Sequence, residues 1–234
     1  MSERAEAGAT HLRALGGLWL LAVIASGSLV ARGSSAFAPY FGPIQAILGT
    51  ATVVGLGLVS LAFLQQRGWF VLHRGARGWL VVPLVVAVPF ALPVIGLDLL
   101  GGFPPDINVT APESLLFYPV IALVAESVFH LAPLAVLLPL LGRVLQQLDR
   151  ERLVFSSVVA VALIEPMLQV VWGVGQSPWW TNAYVGFHVL AINLVGLHLF
   201  RRFGFVSAYL FRVAYYLVWH VLWGHVRLSL LFGG

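Results

Sequence analysis

Seven apolar runs take up most of this chain, falling roughly at residues 14–31, 44–66, 79–97, 115–141, 153–175, 183–200 and 205–230. Most hold about 20 residues, enough to cross a bilayer's hydrocarbon core at a helical rise of about 1.5 Å per residue. That pattern excludes a water-soluble domain. Of 234 residues, 60% are hydrophobic and 9% charged, which is more apolar surface than a domain of this length buries by itself. Lipid covers the remainder. The expected fold is all-α, a polytopic transmembrane helical bundle of about seven membrane helices, forming a single integral membrane domain over 1–234. The fourth and seventh runs are long enough to tilt or to extend past the interface, and the sixth is the shortest. Met1 to Arg13 with the first apolar run also fits a signal peptide, with Ala-Ser-Gly near Ala25 as a cleavage-like site. The bundle that follows favours a retained first helix.

Arginine placement sets the orientation. All 13 basic residues are Arg, and nine acids leave a formal charge of +4. One side collects Arg4, Arg13, Arg67, Arg74, Arg77, Arg143, Arg150, Arg152, Arg201 and Arg202. The other carries Arg32 and Arg227, with Asp98, Asp106 and Glu113 in the loop after the third helix. The positive-inside rule then makes the N-terminus cytoplasmic, with membrane lipids as the first partners. Arginines at the ends of apolar segments orient a membrane protein, so no nucleic acid partner is expected. The absence of Cys rules out disulfides and thiolate metal sites.

Trp179 and Trp180 fall just outside the sixth helix and Trp69 and Trp79 beside the opposite boundary, as interfacial anchors. Gly49 to Gly57, reading G-T-A-T-V-V-G-L-G, would let helices approach closely. The 98–114 loop, with Gly101-Gly102, Pro104-Pro105 and Pro112, reads as an irregular external connection able to cover the mouth of a site.

Ionisable groups are expensive in hydrocarbon, so Glu126, His130, Glu165, His188 and His220, spread over successive helices, point to a shared polar site. Glu126 lies roughly 16 Å from the external start of its helix at the ideal rise. His130, four residues on, shares its face. That pair fits water activation, metal binding, or a structural hydrogen bond between helices. Glu165 is again near midplane, and Pro166 beside it can bend the helix and free a carbonyl. Neutral His188, in the outer half, can bind metal or exchange a proton; Asn193, five residues on, points to a different side. Arg212 falls inside the last helix near its cytoplasmic end. Tyr216, His220, Trp223 and Arg227 form one stripe on that helix. It would either line a cavity, with Arg227 attracting an acidic group, or face lipid as an aromatic surface.

The order of these elements resembles the PrsW-like and CAAX-processing (CPBP) intramembrane proteases over about residues 125–200. A-E-S-V-F-H, from Ala125 to His130, resembles the family's paired-glutamate motif. Asp149 to Glu165 looks like its charged loop and the helix ending in the second-motif glutamate. Gly186 to Gly196 is similar to its later histidine helix. Ala125 stands where the first paired glutamate would be, His130 at the basic position, Val161 at the aromatic one, and Ile192 at the acidic or Asn partner of the histidine. The resemblance implies an intramembrane peptidase acting on a membrane-associated polypeptide. Glu126 would accept a proton from water and Glu165 would position that water or help bind a metal. His188, with His220, would donate to the developing oxyanion or complete a metal site. The cofactor implied is a divalent metal, with Glu126, His130 and His188 as its ligands. Two alternatives stand beside this: a noncatalytic accessory or scaffold subunit, and a haem or lipid-cofactor protein using His130, His188 or His220.

Overall fold

In the computed structural model, which describes residues 2–42, 45–175 and 178–233, the apolar runs become seven long helices. They are Arg13–Ala31, Ala46–Gln66, Val81–Leu99, Ser114–Val144, Arg150–Gly173, Trp179–Phe203 and Phe205–Phe232, called the first to seventh spans below. The protein is an all-α, polytopic membrane bundle. Residue 44, the expected start of the second span, lies outside the described residues.

The sixth span is longer than its apolar run, at 25 residues. Pro178 precedes its first turn, so Trp179 and Trp180 open the helix instead of lying outside it. Its other end is set by Gly204, whose φ of 103° places the chain where a side chain is strained. A Cβ there would also lie 2.8 Å from the Leu72 carbonyl oxygen. That contact is close because Phe205 N–H donates to Val71 O and Val206 N–H to Leu72 O, clipping the 67–78 connection to the turn between the last two spans.

The fourth span is the centre of the bundle. Of its most apolar window 56% is buried, against 22% for the first span, and it packs on the first, second, fifth and seventh spans. The third span instead packs against the seventh and sixth. Two apolar clusters result. One surrounds Leu123, Leu131, Leu134 and Leu138 of the fourth span; the other joins Ala87, Ala91 and Val94 of the third to Phe211, Tyr215 and Trp219 of the seventh.

Neither the fourth nor the seventh span is a uniform α-helix. Each carries a π-helical segment, Glu126–Leu131 in one and Leu217–Trp223 in the other. Such segments shift the register of side chains about the axis and leave room for polar groups facing inward. The fifth span is interrupted at Leu163, one turn before Pro166. The ring removes the donor that would have reached Ala162, and that carbonyl is the one freed.

Glycine permits the tightest helix crossing. Gly57 of the second span lies against Ser127 of the fourth, and a Cβ on Gly57 would overlap the Ser127 side chain and approach its Cα within 2.9 Å. The close approach expected of the Gly49–Gly57 stretch is therefore made at this crossing. Gly57→Val should lower stability by about 1–3 kcal/mol, the usual cost of overpacking. Gly96→Val, at a glycine with nothing within 4 Å, is the control. Thermal unfolding of both in one detergent checks the difference.

Candidate functional site

Four spans contribute polar side chains to a buried cluster inside the bundle. Arg212 of the seventh span is its hub. Its Nε donates to Glu126 Oε1 of the fourth span at 2.6 Å, and Nη1 and Nη2 donate to Glu165 Oε1 and Oε2 of the fifth at 3.2 and 3.1 Å. Nη2 also donates to Asn193 Oδ1 of the sixth at 3.0 Å. The Asn193 amide donates in turn to the Ala162 carbonyl at 3.2 Å, the one that Pro166 frees. His130 Nδ1 lies 2.7 Å from the second oxygen of Glu126, and Gln169 donates to Glu165 Oε1 at 3.3 Å. Glu126, His130, Glu165, Asn193 and Arg212 are all buried. His130 Nε2 is buried without a hydrogen-bond partner among the described residues.

The structure thus brings Glu126, His130 and Glu165 together and places His188 and His220 elsewhere. Arg212, Tyr216 and His220 run down the seventh span at four-residue spacing, with Tyr215 beside them. His188 goes with Tyr215: its Nε2 lies 3.2 Å from the Tyr215 hydroxyl, its Nδ1 3.4 Å from that of Tyr184, and Phe90 of the third span flanks it. Its hydrogen-bonding neighbours are those tyrosines, and it makes no hydrogen bond to Glu126, Glu165 or Arg212 among the described residues. Among the described residues no group of three or more His, Asp or Glu converges to hold a metal ion. Between Glu126 and Glu165 the positive charge is supplied by the Arg212 guanidinium.

His220 belongs to a second polar layer nearer the loop end. Its Nδ1 lies 2.6 Å from Asn108 Oδ1, and its ring stacks on Tyr118 with centroids 4.7 Å apart. Further along, Arg227 and Asp98 form a fully buried ion pair, Nε to Oδ2 at 2.6 Å and Nη2 to Oδ1 at 2.8 Å, with Trp223 donating to Asp98 Oδ2 at 2.7 Å. Arg227 also donates to the carbonyls of Phe103, Pro104 and Pro105. The stripe on the seventh span is an inward-facing surface, and the acidic group that Arg227 attracts is Asp98. Asp98 sits in the last turns of the third span, not in the loop beyond it.

These contacts pin the 99–108 connection over a cavity of about 250 Å³. Tyr40, Asp106, Asn108, Tyr118, Tyr216 and His220 are among its lining residues. Tyr216 joins the two layers, for its hydroxyl is 3.5 Å from Arg212 Nη1. Neither Glu126 nor Glu165 lines the cavity.

No family model, no curated protein and no solved structure matches this chain. What the site does has to be read from its own geometry.

The sequence places Arg212 inside its helix without marking it as the hub, and the spacing of Asn193 from His188 points it to a different side. That spacing is correct; the side it points to is the one that holds Arg212. The signal available was a single Asn inside an apolar run, which is costly unless partnered.

Two outcomes follow. Arg212→Leu strands two carboxylates in the membrane and should cost about 3–5 kcal/mol, while adding Glu126→Gln and Glu165→Met recovers most of the loss. Denaturant unfolding in micelles measures both variants. Arg227→Leu should release the connection it holds, so limited proteolysis should cut within residues 101–108 faster than in wild type, whereas Arg32→Leu leaves that rate unchanged.

Proposed function

We propose that this chain is a noncatalytic membrane module, an accessory or scaffold subunit. It resembles the PrsW-like and CPBP proteases over residues 125–200 without performing their reaction. One observation carries the reading: each of the four oxygens of Glu126 and Glu165 already accepts a hydrogen bond from, or sits at hydrogen-bond distance of, another side chain. Hydrolysis of a peptide bond needs a base with a lone pair aimed at a water beside the scissile carbonyl. Both carboxylates are instead aimed at a guanidinium, and the loop-side cavity stops at Tyr216. The cluster acts as a brace. Recognition of a ligand or partner segment then falls to the cavity around Tyr118, Tyr216 and His220, and to the lipid-facing helix surfaces. The arginine asymmetry supports an N-terminus in the cytoplasm, and the resemblance a bacterial inner membrane.

A peptidase reading keeps one observation in its favour, the Glu126–His130 contact beside an unpartnered His130 Nε2 that a water could meet. It requires Arg212 to leave Glu126 when substrate arrives.

Wild type and Glu126→Gln in matched nanodiscs separate the two. Each is tested for hydrolysis of a peptide library, bound metal, visible absorbance and thermal stability. The brace predicts no hydrolysis in well-folded wild type and a lowered melting temperature in the variant. Hydrolysis that vanishes in Glu126→Gln at unchanged stability would overturn it. A stoichiometric metal would point to metal-assisted hydrolysis, and a Soret band to haem.

A further inference from the structure

At the Arg-rich end of the bundle a second cavity, of about 390 Å³, opens between the 67–78 connection and the fifth and sixth spans. Arg74, Arg150, Arg201, Glu151 and Trp69 line it. We propose that this crevice binds the phosphodiester of an anionic lipid headgroup, gripped by Arg74, Arg150 and Arg201.

Charge comes first. Three arginines and one glutamate line the crevice, and among the described residues neither Arg74 nor Arg201 has an acidic side chain within ion-pairing distance. Guanidinium forks match phosphate oxygens in pairs, so three of them round one crevice suit a phosphate better than a lone carboxylate.

Preorganisation comes second. Arg150 is already fixed, its Nη2 donating to Gly68 O at 2.5 Å and to Arg67 O at 3.3 Å. The wall bearing Arg74 is clipped in place by Arg74 N–H donating to Phe203 O at 3.0 Å, beside the clips to Val71 and Leu72. Arg201 comes from the last turn of the sixth span.

Depth comes third. Arg150 and Arg201 lie where spans end and Arg74 in the connection between two of them, on the side with Trp69 and Trp79, which is the level expected for a leaflet's phosphates. Basic crevices between spans on such a face take acidic headgroups, and each arginine near the surface is worth about fivefold in affinity. Trp69 and Val154 give the crevice an apolar flank for the glycerol backbone.

The test uses the full chain in a zwitterionic detergent–phosphatidylcholine background. It is titrated with phosphatidylglycerol, with phosphatidylcholine of the same chains, with glycerophosphoglycerol and with inorganic phosphate, reading thermal shift. Phosphatidylglycerol should raise the melting temperature and phosphatidylcholine should not. Arg74→Gln with Arg201→Gln should weaken the phosphatidylglycerol response by about 25-fold, at two arginines of about fivefold each. Stability without anionic lipid should stay unchanged. Arg74→Gln alone serves if the pair fails to fold. Arg77→Gln with Arg143→Gln, on the same face outside the crevice, should leave the response intact. A response to glycerophosphoglycerol or phosphate that depends on the same arginines supports the phosphate site and assigns it a soluble ligand. Equal responses to the two lipids, no response, or equal loss in the control pair would overturn the proposal.

Discussion

The guanidinium of Arg212 is the constraint on which the interior depends. It sits in the seventh span, and its hydrogen bonds reach the fourth, fifth and sixth. A cation at that depth is tolerable only with its donors satisfied, and a carboxylate likewise. The requirement is mutual: if the fourth, fifth or seventh span slides or rotates, a charge in another loses a partner. Apolar packing between spans offers little such discrimination, since lipid tails are as apolar as leucine. The cluster therefore fixes register where hydrophobicity cannot. It even absorbs a defect of the backbone, because the carbonyl freed by Pro166 is taken by the same Asn193 that binds Arg212.

The seventh span carries polarity along most of its length, and its neighbours answer it layer by layer. Glu126 and Glu165 meet Arg212, Tyr118 and Asn108 meet His220, and Asp98 meets Trp223 and Arg227. An uninterrupted α-helix drifts in the direction its side chains face over so many turns. The π-helical segment Leu217–Trp223 lies between the first layer and the last, where a change of register helps both ends of the stripe face inward. The matching segment Glu126–Leu131 holds the Glu126–His130 pair on the facing span. Both irregularities fall where polar groups must be aimed.

The spans were legible in the sequence because the cost of exposing backbone to lipid leaves only helices, and helix length follows from bilayer thickness. Glu126, His130 and Glu165 were legible for the same reason: a charge in an apolar run must be answered. What answers it was not, since partners on different helices have no fixed spacing. Arg212 read as a residue near a helix end, Asp98 as a loop acid, and Asn193 as a bystander to His188. Each reading used distance along one helix, and each was settled by a contact between helices separated by many residues. His188 shows the converse. Its chemistry suited a site, yet its hydrogen-bonding neighbours are Tyr184 and Tyr215 and not the members of the Arg212 cluster.

The same pairings sharpen the arginine asymmetry. Arg227, counted from sequence as a positive charge on the loop side, is buried and neutralised by Asp98, and Arg212 is consumed in the interior. Arg32 then stands as the remaining arginine on that side, where Asp106 and Glu113 outweigh it. The arginines at the opposite ends of the spans face few acids: Arg152 has Asp149, and Glu151 shares the crevice of Arg74, Arg150 and Arg201. Fixed charge has thus been sorted twice, once into balanced pairs inside the bundle and once into an unbalanced face outside it. Internal pairing locks the helices without contributing to orientation. The unbalanced face orients the chain and leaves an electrostatic demand that the protein itself does not meet, and the acidic lipids of a leaflet are the charges at the right depth to meet it.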